Sequence, residues 1–160
     1  MKTITAYHGT IFPFDAEHVY PMTHFSAPPI AARSATNDRF DIPDIPARPA
    51  IFLEAEITVG RMFTIDDPAT SLPTEITSQL LRREMIAYET HRHFLTAMHQ
   101  ATRPFFYELR HPLADLLQEI GIDTLAYVDR GPNAGEYSFI ITRSGQLRKA
   151  RWLTHSELFA

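Results

Sequence analysis

The strongest constraint on this chain is a change of periodicity in its middle. From Thr74 to about Gln100, the apolar residues Ile76, Leu80, Leu81, Met85, Tyr88, Phe94 and Leu95 recur at helical spacing. Such a stripe marks the buried face of an α-helix. Thr74 stands where an N-cap is expected. A shorter helix is expected from Leu113 to Ile120, closed by Gly121 just past its end. On both sides of this helical centre the apolar residues fall in short strand-like runs. The first ends at Ile4, Ala6 and Tyr7, where Gly9 breaks it, and the second is Met22–Ser26. The third is Ala50–Ile57, with Arg61–Ile65 as a continuation. The later ones are Ile122–Val128, Glu136–Ile141 and Leu147–Leu153. Strands at both ends with helices between them fit an α+β domain rather than a repeating βαβ unit.

Between the second and third strands, Ser26 can cap a helix that opens with Pro28-Pro29 and continues through Ala31-Ala32-Arg33-Ser34-Ala35. Residues 36–49 hold four Asp/Asn and three Pro, the composition of a long surface loop. A loop of that length beside a site is a place for substrate contact. Phe12 and Phe14 are expected to pack beneath the loop that follows Thr10.

The 160 residues suit a single domain, residues 1–160, large enough to bury a core. Charged residues make up 21% and hydrophobic ones 44%, which excludes a disordered chain. A net charge of −4 argues against sequence-independent nucleic-acid binding, which needs a basic face. The absence of cysteine excludes disulfides and thiol catalysis. No apolar run is long enough to span a bilayer, so no membrane role is expected. The opening residues Met1-Lys2-Thr3-Ile4-Thr5 have no signal core. The expected compartment is therefore the cytoplasm, with secretion by a route lacking a cleaved signal left open.

Three stretches carry chemistry. The first is Tyr7-His8-Gly9-Thr10, which presents an imidazole, a side-chain-free backbone and a hydroxyl at a strand end. A glycine there lets a flat ligand approach the main chain, whose N–H and C=O can read an amide. The second is His24-Phe25-Ser26, and the third is Glu136-Tyr137, where a carboxylate opens a late strand. Taken singly, each has an ordinary structural explanation: a strand-to-turn junction, a half-buried strand histidine with a helix cap, and a solvated strand opening.

In this order the three stretches resemble the motifs of the ADP-ribosyltransferase superfamily. The resemblance is to its H-Y-E branch, which includes diphtheria-toxin-like enzymes and poly(ADP-ribose) polymerases. The chain is also similar to small rifamycin ADP-ribosyltransferases and to compact domains of phage and mobile-element proteins. About a dozen residues carry the likeness. It implies a split pair of small antiparallel-rich sheets with NAD held between them as co-substrate. Gly9 would hold the nicotinamide amide through its backbone. His8 would bond the adenosine-side ribose, and Thr10 would support that ribose or its loop. Glu136 would bond the 2′-hydroxyl of the nicotinamide ribose. There a fixed carboxylate stabilises the positive charge that develops as the bond to nicotinamide breaks. The catalytic pair is then Glu136 and His8, and Tyr7, His8, Gly9, Thr10, His24, Phe25 and Ser26 line the NAD site. The acceptor of ADP-ribose is open: protein, nucleic acid, small molecule or water.

The chain departs from this pattern at His24, which stands where relatives place a tyrosine that stacks on nicotinamide. Strand alternation puts His24 on the site side and Phe25 in the core. The residues before Glu136 are Gly135 and Ala134, not the Glu-x-Glu of arginine-specific enzymes. An NAD glycohydrolase, or a silent nucleotide- or partner-binding module of the same fold, are the other readings. His91 and His93 look like half a metal site, but residues two apart on a helix differ by about 200°, so no metal is expected. Arg148, Lys149 and Arg151 read as a solvated face rather than a phosphate track.

Overall fold

The computed structural model describes residues 1–10, 14–27, 49–66, 73–101, 108–128 and 135–159. The Ala-rich helix expected at 31–35, most of the loop expected at 36–49 and Phe12 lie outside these residues. The strands are β1 (Lys2–Thr10), β2 (His24–Ser26), β3 (Ile51–Val59), β4 (Met62–Thr64), β5 (Thr124–Val128), β6 (Tyr137–Ile141) and β7 (Leu147–Thr154). The helices are α1 (Pro73–Arg82), α2 (Tyr88–Gln100), α3 (Arg110–Glu119) and α4 (His155–Phe159). The class is α+β.

The strands form one sheet in the order β4-β5-β6-β2-β1-β3-β7. The pair β4–β5 is parallel and the other neighbours are antiparallel. This corrects the expectation of a split pair of sheets. The three-residue strand β2 pairs on both sides and joins the halves. The joint is thin, because β1 and β2 share one residue pair, Tyr7 with Ser26.

The sheet curls on itself. Only Gly60 and Arg61 separate β3 from β4, yet these strands lie near opposite ends of the sheet. So short a link requires the two ends to approach each other. Asp123 Oδ2 closes the gap by accepting the backbone N–H of Gly60 at 2.8 Å and of Arg61 at 3.1 Å. Buried Gln146 adds a second tie, its Nε2 donating to the Thr58 carbonyl at 3.3 Å and to Thr124 Oγ1 at 2.9 Å.

Two buried clusters follow from this curl. Inside it, Ala6, Leu53, Ala55, Ile57 and Val59 of β1 and β3 meet Phe25, Ala126, Phe139 and Ile141 of β2, β5 and β6. On the opposite face of β5 and β6, Leu125 and Ile140 pack with Ile76, Leu80, Phe94, Leu113 and Leu117 of the helices. Strand β6 is thus covered on both faces, which explains the unbroken apolar run Phe139-Ile140-Ile141.

The single helix expected from Thr74 to Gln100 is two helices. Helix α1 ends in a Schellman turn: Glu84 N–H bonds the Leu81 carbonyl at 2.9 Å and Met85 N–H the Leu80 carbonyl at 3.0 Å. Glu84 takes the left-handed conformation at φ 58°. The same turn ends α3, with Gly121 at φ 83° in the matching position. Thr74 is not a cap. Pro73 opens the helix, and the Thr74 hydroxyl donates to Met98 Sδ of α2 at 3.2 Å. The second strand begins at His24 rather than Met22, because Met22 turns through φ 64°.

Candidate functional site

Strand β1 does not stop before His8. It runs to Thr10, with Gly9 paired to Phe52 and Thr10 to Ile51. Gly9 is buried and is not among the glycines with positive φ. Beyond the pair Tyr7–Ser26, β1 follows β3 while His24 and Phe25 follow β6. The sheet opens into a seam there. Its lips carry His8-Gly9-Thr10 on one side and His24-Phe25 on the other. His8 spans it, with Nδ1 at 2.7 Å from the His24 carbonyl oxygen. That contact makes Nδ1 the protonated nitrogen, since a carbonyl can only accept.

Alternation assigns the side chains to faces. His8 shares the inward side with Ile4 and Ala6, in an aromatic box. Its ring lies 5.8 Å from that of Phe14 and 5.6 Å from that of Phe25. Phe14 in turn meets Trp152 edge-on at 5.0 Å. Phe25 is 1% exposed and is the core residue that alternation requires, while His24 is half-buried on the opposite face. The sheet therefore separates the His8 and His24 rings. Thr10 is buried.

On the His24 side, a polar row crosses six strands. Arg151, Glu54, Tyr7, Ser26, Ser138 and Tyr127 are successive register partners. Arg151 Nε donates to Glu54 Oε1 at 2.7 Å. Tyr7 lies beside the same carboxylate, and its phenol is held above the ordinary value, first by burial and then by Glu54. Ser26 and Ser138 place their Oγ atoms 3.4 Å apart, a weak contact. The Tyr127 hydroxyl lies 2.8 Å from His24 Nδ1.

Glu136 is exposed and immediately precedes β6, whose next strand is β2. The three motifs thus occupy three adjacent strands, β1, β2 and β6. Register sets a spread within them. Gly9 lies two residues to one side of the Tyr7–Ser26–Ser138 row, and Glu136 two residues to the other. At about 3.3 Å per residue and about 4.8 Å per strand, they stand roughly 16 Å apart over a flat sheet.

Sequence reasoning missed Tyr127, Glu54 and Arg151. The alternation Leu53-Glu54-Ala55-Glu56 was the available signal for an outward polar face on β3. Arg151 and Lys149 are exposed and pair with Glu54 and Glu56. On α2, His91 Nδ1 contacts Thr77 Oγ1 at 2.8 Å, and His93 is exposed. Among the described residues, no group of three or more His, Cys, Asp or Glu could hold a metal ion. None of their helices is long and apolar enough to cross a membrane. No protein-family model, curated protein or solved structure matches the chain.

Proposed function

We propose that the chain is an NAD-dependent ADP-ribosyltransferase that cleaves the nicotinamide–ribose bond at the seam between β1 and β2. One observation carries the reading: His8-Gly9-Thr10 on β1, His24-Phe25-Ser26 on β2 and Glu136 just before β6 come from both ends of the chain to three adjacent strands. The donor set suits NAD. Gly9 offers a main chain without a side chain for the carboxamide, and His8, whose Nδ1 donates to the His24 carbonyl, stands on the same lip as the candidate partner of a ribose hydroxyl. Tyr7 and Ser26 border the seam on the His24 side.

In this reading Glu136 acts on the nicotinamide ribose. Its carboxylate stabilises the positive charge that spreads over that ring as nicotinamide departs. Nicotinamide leaves neutral with the bonding pair. The acceptor forms the new bond to the same carbon and gives its proton to solvent. The acceptor class stays open among protein, nucleic acid, small molecule and water.

The test is incubation with NAD, with nicotinamide release as the readout. Release only with added cell lysate supports a transferase. Release without any acceptor supports the glycohydrolase reading. The spread between Gly9 and Glu136 favours a second reading, a nucleotide-binding module without turnover. Calorimetric NAD binding with no release under either condition supports it.

A further inference from the structure

We propose that Tyr127 is a positioning residue for His24, and that the two rings form one recognition surface for the nicotinamide end of NAD. The inference rests on the NAD reading of the seam. Its geometry stands independently. His24 is on β2 and Tyr127 on β5, with β6 between them. Both side chains reach over β6 to meet, hydroxyl to Nδ1 at 2.8 Å. Their rings cross at 71° with centroids 5.7 Å apart, an edge-to-face contact. Both residues are half-buried, and Tyr127 packs against the helix-side apolar cluster, so the contact is not an exposed accident.

The hydroxyl does two things for the imidazole. In the proposed arrangement it donates to Nδ1, which leaves the ring proton on Nε2 and fixes the tautomer. It also holds the plane of the ring from the β5 side. The pairing answers the departure noted in the sequence. An imidazole offers less area than a phenol for stacking on a flat ring. A tyrosine from another strand, set at 71° to the imidazole, adds a second aromatic wall against the edge of a ring stacked there. Ser26 and Ser138 lie in the same row as Tyr127 and supply hydroxyls beside the pair.

The test uses the full chain labelled with ¹⁵N, its histidine ring spectra recorded at pH 8.5 with and without NAD, and His24→Ala to assign the His24 signals. The account expects His24 in the Nε2–H form in the wild type and a mixture of tautomers in Tyr127→Phe, which keeps the ring and loses the hydroxyl. It also expects NAD to move the His24 signals. NAD affinity should fall about threefold to tenfold in Tyr127→Phe, the range of one neutral hydrogen bond. It should fall further in Tyr127→Leu, which removes the ring as well. A wild-type His24 without a preferred tautomer, or one that Tyr127→Phe leaves unchanged, overturns the positioning role. If Tyr127→Phe does not fold, the wild-type tautomer decides that point. NAD that binds without moving the His24 signals overturns the recognition surface while the NAD reading survives. A chain that binds no NAD at all removes both, and the tautomer result then speaks only for the His24–Tyr127 contact.

Discussion

His8 Nδ1 lies 2.7 Å from the carbonyl oxygen of His24, at the point where β1 and β2 part. A side chain, not the backbone ladder, holds the two lips of the seam together there. The contact also decides how His8 can meet a ligand. With Nδ1 donating to the carbonyl, Nδ1 is not the nitrogen that reaches a ligand.

Replacing His8 by Phe keeps a ring against Phe14 and Phe25 and removes both nitrogens. The expected result is a folded protein whose NAD affinity drops about threefold to tenfold, the worth of one hydrogen bond. Titration calorimetry on the variant and the wild type checks this. Unchanged affinity would remove His8 from the ribose.

Gly9 separates ligand approach from backbone strain. It sits in extended strand paired with Phe52, and a β-branched residue suits that conformation. The backbone conformation therefore does not oppose Gly9→Val, and in the folded variant the new side chain is expected to block the approach of a carboxamide to the main chain. The check is a melting curve beside a binding isotherm. Loss of NAD binding with the melt retained supports the role, and full binding in the folded variant contradicts it.

Glu84 occupies a position that asks for glycine. The left-handed conformation costs a non-glycine residue about 1 kcal/mol or more, and Glu84 holds it at φ 58° in the turn that ends α1. Glu84→Gly should stabilise the protein by up to about 1 kcal/mol. Gly121→Ala, at φ 83°, should destabilise it by a similar amount. Urea unfolding of both variants measures the two changes, and opposite signs are the expected pattern.

This pair of turns shows what was legible in the sequence. Gly121 announced the end of α3 because its residue type matches its conformation. Glu84 gave no such signal, and the apolar stripe runs on through Met85 and Tyr88, so α1 and α2 read as one helix. The α+β class followed from the order of periodicities, and Phe25 in the core followed from alternation. The curl was not legible. It depends on Asp123 and Gln146 bridging residues distant in sequence. Within the site, the strand neighbours of the three motifs, β1, β2 and β6, could not be read from their order in the chain. The Tyr127 partner of His24 and the Glu54–Arg151 pair beside Tyr7 were hidden, because cross-strand register is not written in local pattern.

Tyr7 should give the protein an alkaline limit. Burial and the Glu54 carboxylate raise its phenol above the ordinary value. A raised folded-state value favours the neutral phenol in the fold. That stability is complete below the unfolded value of ~10 and is lost as pH rises through the folded one. Melting temperatures followed upward from pH 9 should fall more steeply for the wild type than for Tyr7→Phe. Parallel curves would show that Tyr7 does not set the limit.

The most direct measurement is nicotinamide release from NAD by the wild type and by Glu136→Gln, each with and without lysate, beside calorimetric NAD binding and circular dichroism. The account predicts release by the wild type. It predicts no release by a folded Glu136→Gln whose NAD affinity stays within about tenfold, because the carboxylate acts mainly on the transition state. Wild-type turnover in Glu136→Gln would contradict the role of Glu136, and a wild-type chain that neither binds NAD nor releases nicotinamide would contradict the account as a whole.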